Sequence, residues 1–430
     1  MPAFGRTGDA LVFGELTIRQ EKIMTVRSIV CMQALCFAAL MTLGSARAQM
    51  DQPPKDTDPI RLSVEVRGSY TDNRDSSETD EESNFDLYLA PRIDVVADLV
   101  RTKLDAYYQP YYRYRTDPSD IQNEDEFYHS LGLNMDHEFT EQSKIRLWEK
   151  FDLTDDPAVE EGAITIRGDR SYIMNRFEGA FNHAFSRWTY TELSGSHMLK
   201  RYDEQEVADE SDEDAMSVGA RLWRQIAPSV GIDFDVRTTS YGFESAMGIE
   251  RDFDVLLAGA GIEKVFNPNL RGSVRAGWQR AEYDDDALDT QNEPYLSAEL
   301  RGQTAPTARL IASVTHGIRD ADAYPFASQS YTDARGRLEL DATPKLMLGF
   351  QGTYRLSEYE KDSRPSTAAV ASFPKATSGD ETTIVLQGDA AFKLTDRSSL
   401  KFIQRLEDID SDVGESFTKN TSIAVATMAF

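Results

Sequence analysis

The side chains with the most to offer chemically are cations and aromatic rings set at even separations. Arg61 and Arg67 form one set, Lys103, Tyr107, Tyr111 and Arg113 another, Arg271 and Arg275 a third, and Arg335 and Arg337 a fourth. Arg92, Trp148, Trp223 and Arg237 stand in comparable surroundings. Even separation puts side chains on one face of a β-strand. Cations on such a face attract anionic or hydroxyl-rich solutes, and flat rings can stack on sugar faces. Carboxylates share these faces, among them Glu65, Asp86, Asp94, Asp105, Asp233, Asp235, Asp333 and Glu339. Two uses fit the pattern: a wall that binds or selects a passing solute, or a wall whose charges pair to brace a water-filled interior while the rings fill space.

Covalent and metal chemistry have no comparable signal. The five histidines, His129, His137, His183, His197 and His316, contain no pair at a metal-ligand spacing. No Gly-x-Ser-x-Gly elbow occurs, and no Ser/His/Asp trio assembles from the order of residues. The segment 408–414 resembles a calcium loop, but its glycine comes one place late and Lys419 stands where the closing acid belongs. No catalytic residue, metal site or cofactor is expected, and the chain does not read as an enzyme.

The elements that must position the cations are strands. In 60–70, Leu62, Val64, Val66 and Gly68 alternate with Arg61, Ser63, Glu65 and Arg67. In 230–237, Val230, Ile232, Phe234 and Val236 alternate with Gly231, Asp233, Asp235 and Arg237. The same rhythm runs through 84–95, 309–319 and 346–356. A helix would mix the two sets, so period two identifies strands with one apolar and one polar face. Three segments fit less well: 144–153 sets Glu149 among apolar residues, 171–185 requires a parity switch near Met174, and 188–202 alternates weakly.

Connections alternate too. Short turns fall near 97–100, 140–143, 185–187, 227–229, 267–269, 304–307, 343–345 and 395–398, several with the Pro, Asn or Asp of tight turns. Longer polar stretches lie between them, at 71–83, 116–125, 154–168, 202–214, 242–252, 284–293, 320–330, 359–380 and 410–419. Eight short and nine long links join eighteen strands, with sixteen as the alternative count. The expected fold is all-β: a transmembrane antiparallel β-barrel with short periplasmic turns and long acidic extracellular loops. The acid is densest at 203–214, which suits cation binding, repulsion of anions at the mouth, or a solvated surface. Tyr107 and Tyr111 fall on the inward register, and Tyr108, Tyr112 and Tyr114 on the outward one, where they suit an interfacial girdle.

The ends of the chain agree with this fold. Met24 opens a short basic region, an apolar run covers 29–43, and Ala46-Arg47-Ala48 is a small-x-small cleavage site. Residues 1–48 are therefore expected to be an upstream extension plus a cleaved signal peptide with its true start at Met24. Residues 49–59 would be a short periplasmic segment and 60–430 the barrel. Cys31 and Cys36 leave with the signal, so disulfides and thiol chemistry are not expected in the mature chain. The removed part carries five basic and three acidic residues, which takes the net charge from −27 to −29 and argues against nucleic acid as a partner. No later run of 18 apolar residues could form a transmembrane helix.

Two resemblances place these features. The alternating last segment closing on Phe430 resembles the final strand of bacterial outer-membrane barrels, which implies that Phe430 is an assembly signal read by the barrel assembly machinery. Gly68-Ser69-Tyr70-Thr71-Asp72-Asn73, an acidic loop, and then Phe85-Asp86-Leu87-Tyr88-Leu89-Ala90-Pro91-Arg92-Ile93 resemble the opening of the putative β-barrel porin type 2 family, with Thr71 departing from its pattern. That resemblance implies a bacterial outer-membrane location and a channel that serves exopolysaccharide export or takes up small hydrophilic solutes. Its expected partners are outer-membrane lipid, lipopolysaccharide and polysaccharide export components. The alternative is a structural or adhesive surface barrel whose lumen is blocked.

Overall fold

Strands with one apolar and one polar face leave two unpaired edges unless the sheet closes on itself. The computed structural model describes residues 59–79, 81–118, 124–154, 171–203, 208, 212–243, 251–286, 288–321, 326–359, 379–414 and 416–430. The expected leader, 1–48, lies outside them, as does 49–59 apart from Pro59.

Eighteen strands follow in order. The first six are β1 Ile60–Thr71, β2 Asn84–Asp98, β3 Thr102–Arg115, β4 Asp125–Glu138, β5 Ser143–Thr154 and β6 Tyr172–Ser186. Next come β7 Thr189–Tyr202, β8 Glu213–Ala227, β9 Val230–Phe243, β10 Phe253–Asn267, β11 Leu270–Tyr283 and β12 Gln291–Ala305. The last are β13 Ala308–Asp320, β14 Ser328–Thr343, β15 Leu346–Tyr359, β16 Gly379–Lys393, β17 Ser398–Ser411 and β18 Phe417–Ala429. Each pairs antiparallel with its sequence neighbours, and β1 pairs with β18 from Ser63↔Ala429 to Thr71↔Thr421. The Phe430 amide donates to the Leu62 carbonyl at 2.9 Å, so the last residue belongs to the closing seam. The chain is thus a closed antiparallel β-barrel of eighteen strands; the count of sixteen does not hold.

At one end the strands are joined by short turns built from side-chain oxygens. Asn267 Oδ1 accepts from the Asn269 amide at 2.9 Å, Thr343 Oγ1 from the Leu346 amide at 3.0 Å, and Ser186 Oγ from the Trp188 amide at 3.2 Å. Register shifts sit beside these turns, at Ala184/Ser186, Gln225/Ala227, Val265/Asn267, Gln303/Ala305 and Asp341/Thr343. Gly302 adopts φ +148 at one of them, where a Cβ would lie 1.9 Å from the Asn269 carbonyl oxygen, so only glycine fits.

The expected parity switch in β6 is absent. Pairing with β5 runs unbroken from Ser143↔His183 to Thr154↔Tyr172. Met174 therefore faces inward and is buried, and Asn175 faces outward, where its Nδ2 donates to Glu149 Oε1 at 3.2 Å. The two residues that disturb the alternation are partners: a pair of polar groups on the apolar face satisfies one another across adjacent strands. The acidic run also differs from a fully solvated loop. Glu213 opens β8, and buried Asp212 accepts from the Tyr202 amide at 2.7 Å.

Candidate functional site

Alternation and register together define the inner wall. In β1 to β5 the wall carries rings clamped by cations. The Arg67 guanidinium lies 3.7 Å from the Tyr88 ring centroid, and Arg113 approaches the same ring while its Nη2 meets Asp86 Oδ2 at 2.7 Å. Tyr111 packs between Tyr88 and Tyr128, with centroids 6.3 and 5.1 Å away, and its hydroxyl bonds to Thr154. Nearer the short turns, Arg92 sits 3.9 Å from the Tyr107 centroid and pairs with Asp94 at 2.7 Å. The single Ser130 proton goes to Asp152 at 2.7 Å, so Tyr107 donates to Ser130 at 3.2 Å, while Lys150 holds the other Asp152 oxygen at 3.2 Å.

In β7 to β11 one carboxylate is the hub. Asp233 accepts from Arg221 Nη2 at 2.8 Å and Arg275 Nε at 2.9 Å, and Arg275 also reaches Asp235 at 3.3 Å. Trp223 stacks on Tyr190 with centroids 5.1 Å apart, its ring lying over Gly231 of the next strand. In β14 to β16, Asp333 is shared by Arg335 at 2.6 Å and Arg355 at 3.1 Å, and Arg337 joins Glu339 at 2.9 Å to Asp389 at 3.4 Å. Of the cations singled out by spacing, Arg92, Arg113, Arg275, Arg335 and Arg337 are thus bound to carboxylates of the same wall, and Arg67 lies on a ring. Two enclosed pairs of this wall, Arg113–Asp86 and Arg355–Asp333, owe much of their attraction to repaying desolvation, so they hold the wall's shape more than they add net stability.

The remaining members behave differently. Arg61, Lys103, Arg237 and Arg271 are exposed on the inner face and have no hydrogen-bond or ion-pair partner among the described residues. Trp148 likewise makes no ring contact there. Arg61, Lys103 and Arg271 stand near the short-turn ends of β1, β3 and β11, and Arg237 stands midway along β9. Carboxylates that have no hydrogen-bond or ion-pair partner among the described residues accompany them, including Glu65, Asp105 and Glu263. The available charge is mixed.

Exposure along the inner rows changes from end to end. On β3, Lys103 and Asp105 are exposed, Tyr107 and Gln109 half-buried, and Tyr111, Arg113 and Arg115 buried. On β2 the order from the long-loop end is buried Asn84, Asp86, Tyr88 and Ala90, then half-buried Arg92, Asp94 and Val96, then exposed Asp98. β10 repeats this from Phe253 to Val265. Side chains therefore crowd the long-loop half of the lumen and leave the other half open.

Part of that crowding is an apolar cluster of Phe253, Val255, Ala281, Ile318 and Ala327, with Tyr241, Phe243, Tyr283 and Leu288 packed against it. Buried Arg251, just before β10, donates from Nε to the Phe326 carbonyl at 2.8 Å and from Nη2 to the Ala321 carbonyl at 3.3 Å, with Phe243 under its guanidinium at 4.2 Å. The link ties the β9–β10 connection to the β13–β14 connection over the two strands between them. Neither Tyr88 nor Arg251 stands out in the sequence. Tyr88 becomes a site residue only through its register with Arg67 and Arg113, and Arg251 lies in a polar loop with no periodic signal.

The family described as Putative beta-barrel porin 2 matches residues 60–429. No curated protein matches the chain. Among solved structures, OccAB4 of Acinetobacter baumannii is 11% identical, with 88% of this chain and 100% of that chain covered and a TM-score of 0.46. OccK2 (OpdF) of Pseudomonas aeruginosa, in complex with glucuronate, is 9% identical, with 86% and 98% covered and a TM-score of 0.47. OpdK of the same organism, with vanillate, is 10% identical, with 86% and 99% covered and a TM-score of 0.45.

Proposed function

The chain belongs to the Putative beta-barrel porin 2 family, and from that premise we propose that it is a solute-selective channel of the bacterial outer membrane, constricted on its outer side. The short turns face the periplasm and the long loops the exterior. The observation that carries the reading is the contrast within the lumen: an open short-turn half in which Arg61, Lys103 and Arg271 have no partner among the described residues, with Arg237 equally free at mid-height, against a crowded long-loop half. Eighteen strands leave room for an aqueous path. Mixed free charge beside the unstacked ring of Trp148 suits hydroxyl-rich or zwitterionic solutes better than simple ions of one sign. Service to exopolysaccharide export, with export components as partners, is the role we assign, in keeping with the resemblance of the first two strands. Phe430, hydrogen-bonded into the closing seam, is assigned as the residue that the assembly machinery reads.

A second reading has its own support. Arg251 and the apolar cluster beneath it would seal the exterior, leaving a structural or adhesive surface barrel. Liposome swelling separates the two. Proteoliposomes that swell in mono- and oligosaccharides support the channel; folded barrel that admits no sugar, even with Arg251 removed, supports the sealed form.

A further inference from the structure

We propose that the lipid-facing surface of β10 to β16 holds one phospholipid of the periplasmic leaflet, its acyl chain in a groove across the strands and its phosphate on Lys264. The inference rests on the membrane placement proposed above.

Two adjacent outward rows form the groove, which has a volume of about 790 Å3. Direct register partners make the lower row: Lys264↔Gly272, Gly272↔Leu300, Leu300↔Ala312, Ala312↔Gly336, Gly336↔Gly352 and Gly352↔Leu386. Small residues make its floor, and Phe266, Tyr354 and Leu386 stand along it, all exposed. Gly272 is explained by the protein's own packing, a Cβ there lying 3.1 Å from Phe266 and 3.3 Å from the Glu299 carbonyl oxygen, but Gly336 and Gly352 are not. A Cβ on Gly336 would meet nothing within 4 Å, and one on Gly352 only Leu386 Cδ2 at 3.6 Å. Neither adopts a positive φ, as Gly302 does. Glycine inside a strand weakens it, and where no backbone need exists it marks the close approach of a ligand or another chain.

Charge and direction choose the occupant. Lys264 is exposed on an otherwise apolar pair of rows and has no carboxylate within ion-pair distance among the described residues; its Nζ lies 5.5 Å from the Phe266 ring. It is three residues from the short-turn end of β10, whereas Leu386 is seven from the short-turn end of β16. The groove therefore starts at the periplasmic edge, beside a cation and an interfacial aromatic, and climbs into the apolar band. That is the layout of a phosphate followed by an acyl chain.

The test is native mass spectrometry of the full mature chain, purified from outer membranes and offered phosphatidylglycerol or diacylglycerol of the same acyl length. Lys264→Glu and a Gly336→Leu, Gly352→Leu double variant are compared with the parent after each is shown to be a folded membrane barrel by fractionation and heat-modifiable gel mobility. The expected result is one retained phosphatidylglycerol, with retention falling about fivefold or more in Lys264→Glu while diacylglycerol is unchanged. Filling the groove lowers both. Equal retention by all three proteins overturns the proposal, and so does a dimer that the double variant converts to monomer, which would make a second copy the occupant. Loss of the parent from the membrane fraction would instead overturn the placement on which the proposal rests.

Discussion

Tyr107 of β3 lies flat over Gly132 of β4, so close that a Cβ on Gly132 would sit 2.1 Å from the ring. The ring fills the space a side chain would take, which turns it along the wall, under Arg92 and toward Ser130. Trp223 and Gly231 repeat the arrangement, at 2.4 Å, on β8 and β9. A glycine opposite an inward ring thus lets the ring lie down on the wall and keep out of the lumen.

Gly132→Ala should therefore destabilise the barrel by about 1–3 kcal/mol, the usual cost of overpacking. It should also lose most of that penalty in a Tyr107→Ala background. Urea titration of the folded protein in detergent, read as a double-mutant cycle, checks both; additive effects would mean that ring and glycine are independent.

The Asp233 hub joins Arg221 and Arg275, and neutralising it frees Arg221 and leaves Arg275 with Asp235 alone. Asp233→Asn is expected to cost about 1.5–3 kcal/mol, the range for hydrogen bonds to a charged group. It should also add free positive charge to the lumen, shifting the zero-current potential under a salt gradient toward anion preference. Unchanged selectivity would place the two arginines outside the conduction path.

Arg237 is the converse case, exposed and without a described partner. Arg237→Glu should leave stability within about 0.5 kcal/mol, as for surface changes, and move selectivity toward cations. Loss of folding would reveal a structural bond that the present geometry lacks.

Arg251 ties two outer connections through backbone carbonyls. Arg251→Ala should raise conductance, because it loosens the apolar cluster, and should move selectivity toward cations, because it also removes a positive charge from the constriction. A variant with parental conductance would mean that the constriction does not depend on this link.

Much of the fold was legible because a barrel writes its architecture as period two. Rows such as Leu62, Val64 and Val66 against Arg61, Glu65 and Arg67 need one apolar and one watery side, and Asn267-Pro268-Asn269 can hardly be other than a turn. Legibility failed where two strands had to be read together. Glu149 and Asn175 each look like errors alone and become a hydrogen-bonded pair only in register. The site suffered in the same way. Spacing named Arg113, Arg275 and Arg337 alongside Arg237 and Arg271, but only geometry divides the wall into cations already bound to carboxylates and cations left free. The crowding at the long-loop end left no signal in the sequence because Arg251 is tied there in part through the carbonyl groups of Ala321 and Phe326, which carry no residue identity.

Single-channel recording of residues 49–430 in planar bilayers, with and without oligosaccharides, decides between a conducting, constricted lumen and a sealed one. A constricted channel gives discrete steps that sugars interrupt and that grow in Arg251→Ala. Silent bilayers from both proteins, with the barrel shown to be folded by heat-modifiable gel mobility, would contradict it and leave a sealed surface barrel.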